Sequence, residues 1–122
     1  MLPLGRFPAV RMRRMRKDEF SRRLMRENRL TTDDLIYPVF IIDGKNRTVP
    51  VDSMPGVKRH TVDHLLRHAE TALRAGIPAI ALFPAIERSL KTADGREAAN
   101  PKGLVPRAVA ALKKRLPELG VI

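Results

Sequence analysis

The stretch "DLIYPVFIIDGKNRTVPVDSMPGVKRH", residues 34–60, decides how this chain is read. After one acid it runs through eight apolar or aromatic residues, 35–42, then turns polar and tightens at Met54-Pro55-Gly56. "LIYPVFII" is too short for a buried helix and too continuously apolar for a half-exposed strand, so it reads as a strand covered on both faces, as in parallel sheets. Pro38 has no N–H to give to a ladder, which points to a bend or an unpaired position there. Met54-Pro55-Gly56 has the composition of a type II turn, Pro setting φ and Gly accepting φ > 0. That turn anchors a long loop and starts the return toward the next element. Asp43-Gly44, at the strand end, reads as a turn pair rather than as a carboxylate facing a substrate.

Beyond this stretch the pattern repeats. Val62, Leu65, Leu66, Ala69, Ala72 and Leu73 recur at helical spacing, with Thr61 as N-cap and Gly76 just past the end. "IPAIALFP" (77–84) is a second apolar strand. Val105, Ala108, Val109, Leu112 and Leu116 then form a second amphipathic helix, whose negative end is complemented by Lys113, Lys114 and Arg115 and closed by Pro117. "GVI" (120–122) opens a third strand. Strand, helix, strand, helix, strand is the order of a parallel sheet with right-handed crossovers. No glycine-rich phosphate loop follows the first strand, which argues against a dinucleotide-binding fold. The long polar loops after both strands, including "ERSLKTADGREAAN" (87–100), suit a βα barrel, where such loops gather at the end that does chemistry.

Charge separates the chain into two parts. Residues 1–29 hold ten Arg and Lys against three acids, +7 of the net +11, whereas the remainder has fourteen basic and ten acidic residues. Residues 1–30 therefore read as a basic arm and 31–122 as an α/β body. Arg11, Arg13, Arg14 and Arg16 could neutralise phosphates, but the chain has no Trp, one Tyr and four Phe, which is thin provision for base stacking. Phe20 and Leu24 fall four apart on a helix expected from Asp18 to about Asn28, a stripe that needs a surface to lie on. No apolar run reaches the length of a membrane span and no secretory signal is evident, so the expected location is the cytoplasm. With zero cysteines, disulfides and thiolate metal ligands are excluded within this stretch.

Five segments together resemble one family. "DLIYPVF" (34–40), "SMPGVKR" (53–59), "GIPAIALFP" (76–84), "NPKGL" (100–104) and "LPELGVI" (116–122) are similar in order and spacing to the N-terminal part of porphobilinogen synthase, also called delta-aminolevulinic acid dehydratase. The resemblance runs from about residue 17 to the end. It implies a (β/α)8 TIM barrel of which this chain holds about two βα units and the start of a third strand. It also implies an N-terminal arm that embraces a neighbouring subunit, usually in octamers, with Arg11, Arg13, Arg14, Arg16, Phe20 and Leu24 in that role. The implied chemistry is condensation of two 5-aminolevulinate molecules with loss of water in tetrapyrrole and haem synthesis, through Schiff bases on two lysines and with zinc or magnesium.

The family's metal segment and both Schiff-base lysines fall beyond Ile122 by this resemblance, so no catalytic or metal-binding residue is carried over. The residues agree with that reading. An imine-forming lysine should sit at a desolvated strand end, and Lys45, Lys58, Lys91, Lys102, Lys113 and Lys114 lie in polar loops or at an exposed helix end. The chain is expected to be an inactive fragment of the enzyme. Phe83 is either a core residue or, by the resemblance, an aromatic bordering the substrate pocket. His64 and His68, four apart, lie opposite the apolar helix face and read as solvated rather than as metal ligands. The alternative from another class is a small basic module that binds nucleic acid or an acidic partner through the arm.

Overall fold

The computed structural model describes residues 5–122, and it divides into two compact units, one ending at Leu30 and the other Thr31–Ile122. In the first unit a 3-10 turn at Arg14–Arg16 precedes helix α1 (Glu19–Leu24). Helix α1 ends at Leu24 instead of running to Asn28. Its one buried side chain is Ser21, whose hydroxyl donates to the Asp18 carbonyl at 2.8 Å, and without a packed face so short a helix has little to extend it. Phe20 and Leu24 remain 67% and 77% exposed.

The second unit is built on two strands, β1 (Ile36–Ile41) and β4 (Ala79–Pro84), paired in parallel from Ile36↔Ala79 to Ile41↔Pro84. Between them come the short strands β2 (Thr48–Pro50) and β3 (Lys58–His60) and helix α2 (Val62–Arg74). Helix α3 (Leu104–Arg115) leads to β5 (Gly120–Val121), parallel to β4. The sheet order is β2-β3-β1-β4-β5. The series β1, β4, β5 advances in one direction, so right-handed crossovers place α2 and α3 on the same face.

That face holds the core. Val39 and Ile41 of β1 and Ile80 of β4 pack with Leu65 and Ala69 of α2 and with Leu104, Ala108 and Leu112 of α3, joined by Leu116 and Leu119. Ile41, Leu65, Ile80, Leu112 and Leu119 are fully buried, each contributing about 1.5–3 kcal/mol relative to exposure. Helix α2 stops where the sequence indicates: Gly76 has φ +85°, its N–H bonds the Leu73 carbonyl at 2.9 Å, and Ile77 N–H bonds Ala72 at 3.0 Å, a Schellman closure. At the other end Thr61 occupies the N-cap position, but its hydroxyl both accepts from Arg47 N–H and donates to Arg47 C=O, at 3.1 Å each. The helix start is thereby stitched to the preceding loop.

Two readings of the opening stretch need correction. The loop from Asp43 to His60 contains a β2–β3 hairpin, in which β3 runs parallel to β1 against Phe40 and Ile41 only. Ile42 N–H bonds His60 C=O at 3.0 Å, and by strand alternation the nitrogen of Pro38 faces the same edge, before the point where the parallel strand β3 begins. Proline therefore sits where no ladder bond is required. The Met54-Pro55-Gly56 turn forms as expected, with Gly56 at φ +85° and Val57 N–H on Met54 C=O at 3.0 Å. The second correction concerns coverage. Among the described residues β1 is covered on one face only, and its other face, continued by β4, is apolar and open: Ile36 is 54% and Phe83 49% exposed. Among the described residues no helix is long and apolar enough to cross a membrane.

A sheet face of this composition favours association with other chains. The 122-residue chain on its own is expected to bind hydrophobic dyes and to sediment as a mixture of oligomers joined through this face, with helical circular dichroism retained. A dye-silent monomer with a sharp thermal transition would contradict this.

Candidate active-site rim

The C-terminal ends of β1 and β4 lie side by side, and the loops that leave them form a charged rim. On the open face of the sheet Phe40 and Phe83 are paired across the two strands, with ring centroids 5.8 Å apart and planes tilted by 46°. Phe83 is thus neither a packed core residue nor isolated: it presents half of its surface beside a second aromatic.

On the helix side of the same end is a cavity of about 560 Å³ whose polar wall includes Asp43, Arg47, Glu87, Glu97, Lys102 and Arg107. Asp43 lies in the bend that follows β1, its Oδ1 accepting from the adjacent Gly44 N–H at 2.8 Å. Its Oδ2 also accepts from Arg107 Nη2 at 2.9 Å, tying the end of β1 to the first turn of α3. The Arg107 hydrogen bond, then the Gly44 amide, hold the Asp43 carboxyl below its ordinary value. Asp43 and Arg107 are exposed enough that the pair contributes only about 0–1 kcal/mol, so its effect is positional rather than stabilising.

The loop between β4 and α3 is ordered by its own polar groups. Glu97 accepts from Asn100 Nδ2 at 3.1 and 3.2 Å, and Asn100 Oδ1 accepts from Lys102 N–H at 3.0 Å. Gly103, the residue before α3, is packed so closely that a Cβ there would lie 3.0 Å from both the Asn100 carbonyl and Glu97 Oε1. The start of α3 is therefore fixed against the rim.

The rim offers charged and hydrogen-bonding groups, but among the described residues it supplies no evident nucleophile. Lys45, Lys58, Lys91, Lys102, Lys113 and Lys114 are all exposed, and Lys113 Nζ is bonded to the Pro117 carbonyl at 3.3 Å. Among the described residues no group of three or more His, Cys, Asp or Glu could hold a metal ion, so the zinc or magnesium implied by the resemblance does not fit the side chains present. His64 departs from the solvated reading: its Nε2 lies 2.9 Å from Asn46 Oδ1 and its Nδ1 3.4 Å from Thr48 Oγ1. His68 packs its ring on His60, a residue the sequence reading passed over although it precedes His64 and His68 by four and eight positions.

In the first unit Arg11, Arg13, Arg14 and Arg16 line one depression of about 610 Å³ with Lys17 and Arg22, and the Arg11 guanidinium lies 5.2 Å over the Phe7 ring.

Comparison with known proteins points one way. The sequence profile of the family described as Delta-aminolevulinic acid dehydratase matches residues 9–122. The delta-aminolevulinic acid dehydratase of Bradyrhizobium diazoefficiens is 54% identical over 114 residues, which are 93% of this chain and 32% of that protein. The Synechocystis sp. counterpart is 43% identical, over 95% of this chain and 35% of its own length. The crystal structure of delta-aminolevulinic acid dehydratase (porphobilinogen synthase) from Toxoplasma gondii ME49, in complex with the reaction product porphobilinogen, superposes with a TM-score of 0.84 at 39% identity, covering 99% of this chain and 33% of that one. The chain spans about a third of the length of these relatives. A small basic binding module is not favoured by these matches, and the chain belongs to the delta-aminolevulinic acid dehydratase family.

Proposed function

We propose that this chain supplies the first βα units of a (β/α)8 TIM barrel in a porphobilinogen synthase, the enzyme that condenses two 5-aminolevulinate molecules with loss of water in tetrapyrrole and haem synthesis. The observation that carries the reading is the open sheet face ending in the Phe40–Phe83 pair, in a chain 99% of which superposes on a third of the Toxoplasma enzyme. A one-directional strand series with both helices on one side is the winding of a barrel rather than of a doubly wound sheet, which supports the same reading. Phe83 borders the substrate pocket. The Schiff-base lysines and the magnesium or zinc come from outside the residues present here, and the 122-residue chain is inactive by itself. The enzyme acts in the cytoplasm.

The basic arm, residues 1–30, serves assembly of a homo-oligomer, an octamer. Its exposed Phe20 and Leu24 and the Arg11, Arg13, Arg14 and Arg16 cluster support this, because an apolar stripe flanked by uncompensated cations suits an apolar patch rimmed by acids on a second subunit.

A chimera in which residues 9–122 replace the matching segment of the Bradyrhizobium relative is expected to form porphobilinogen, while the 122-residue chain alone forms none with either metal. A folded but inactive chimera, or turnover by the chain alone, would overturn the assignment. In that chimera Phe83→Ala is expected to lower kcat/KM at least about tenfold, with a stability loss well below the roughly 3–5 kcal/mol of a core phenylalanine truncation. A large fall in Tm with kinetics preserved would place Phe83 in the core. Removing the arm segment from the chimera is expected to reduce oligomer mass by light scattering with circular dichroism unchanged; an unaltered particle would count against the assembly role.

A further inference from the structure

The three histidines of the chain meet at one place, where the β2–β3 hairpin closes on α2. His60 ends β3, and its ring centroid lies 4.1 Å from that of His68 and 6.5 Å from that of His64, the latter ring nearly parallel at 20°. His60 is only 8% exposed, and its Nδ1 is buried with no hydrogen-bond partner among the described residues. A neutral ring tolerates this at the cost of one unmade hydrogen bond, whereas an imidazolium would add an unpaired buried donor and a charge.

The groups around His60 offer that charge little help. From β3 comes Lys58, and from α2 come His64 and His68. Tyr37 of β1 shares a cavity with His60, Thr48 of β2 pairs with it in the hairpin, and Arg47 of the preceding loop is bound through its backbone to Thr61. A carboxylate nearby, Asp63, accepts from Asn46 N–H at 3.0 and 3.2 Å and lies 3.7 Å from His64 Nε2. Asn46 itself is held at φ +47°, a left-handed conformation that non-glycine residues seldom adopt.

We propose that the His60, His64 and His68 cluster is a proton-sensitive latch: in the neutral state it holds the β2–β3 hairpin on α2, and protonation of His60 lets the hairpin lift from the sheet. Burial first, then the charges of His68, His64 and Lys58, push the His60 pKa below its ordinary value. The closed hairpin therefore binds fewer protons than the open one. Stability of the closed form is full above the ordinary histidine value of about 6.5 and declines as pH falls from there toward the depressed value. Opening would free the edge of β1 at Phe40 and Ile41, one strand away from Phe83, and so couples proton concentration to the rim.

Hydrogen–deuterium exchange on the full chain tests this, following amides 46–60 between about pH 7.5 and 5.0 with correction for intrinsic exchange rates. Hairpin opening is expected to rise by up to about thirtyfold, the limit in which only the open form takes the proton on His60, while α3 amides keep their protection. His60→Phe, which keeps a ring but cannot titrate, is expected to abolish the rise. His60→Gln, which likewise cannot take a proton, is expected to do the same. A corrected opening rate independent of pH in the unsubstituted chain, an equal loss of protection in α3, or a full rise in His60→Phe would overturn the latch. Should His60→Phe fail to fold, an undiminished rise in His60→Gln overturns it instead.

Discussion

The parallel ladder between β1 and β4 is the constraint on which the second unit depends. It runs without a slip from Ile36↔Ala79 to Ile41↔Pro84. Because strand side chains alternate, this one register puts Tyr37, Val39, Ile41, Ile80 and Leu82 toward the helices and leaves Ile36, Pro38, Phe40, Ala79, Ala81 and Phe83 on the opposite face. A shift of one residue would exchange the two sets. The α2–α3 layer would then face the proline and alanines, and the core isoleucines would be exposed.

From that register the functional end follows. Both strands terminate together, so Asp43 and the Ala85–Glu87 segment leave the sheet at the same height. Arg107 can then reach Asp43 across the cavity from the first turn of α3. The close packing at Gly103 makes the start of α3 a fixed wall rather than a flexible arm. The Bradyrhizobium relative is about three times as long as this chain, and the lysines carried by the rim and helix ends here are exposed rather than desolvated.

Much of this was legible in the sequence, and what was not has identifiable causes. The apolar runs gave the long strands, helical spacing gave α2 and α3, and Gly76 and Met54-Pro55-Gly56 marked their turns correctly because local backbone geometry decides such positions. The β2–β3 hairpin is not legible because "TVP" and "KRH" carry almost no strand signal; pairing with each other, and of β3 with Phe40 and Ile41, makes them strands. Local sequence marks Asp43 as a turn residue alone, because its second partner lies sixty-four residues away. The histidine cluster spans the boundary between β3 and α2, so a helical wheel drawn from Val62 onward leaves out His60 and makes His64 and His68 look merely solvated. Apolar residues on both faces of β1 do signal two contact surfaces, of which the described residues supply one.

The most direct test of the account uses the absence of natural cysteine to compare single introduced thiols on the two sides of the structure. Ala81→Cys lies on the open sheet face, and Ala108→Cys lies in the core, where the alanine is fully buried. At high dilution of the 122-residue chain, Ala81→Cys is expected to react with a thiol reagent far faster than Ala108→Cys. Within the Bradyrhizobium chimera both are expected to be protected. Equal protection of the two thiols in the dilute chain, or equal reactivity of Ala81→Cys in chain and chimera, would contradict the claim that this sheet face is an open surface built to receive the rest of a barrel.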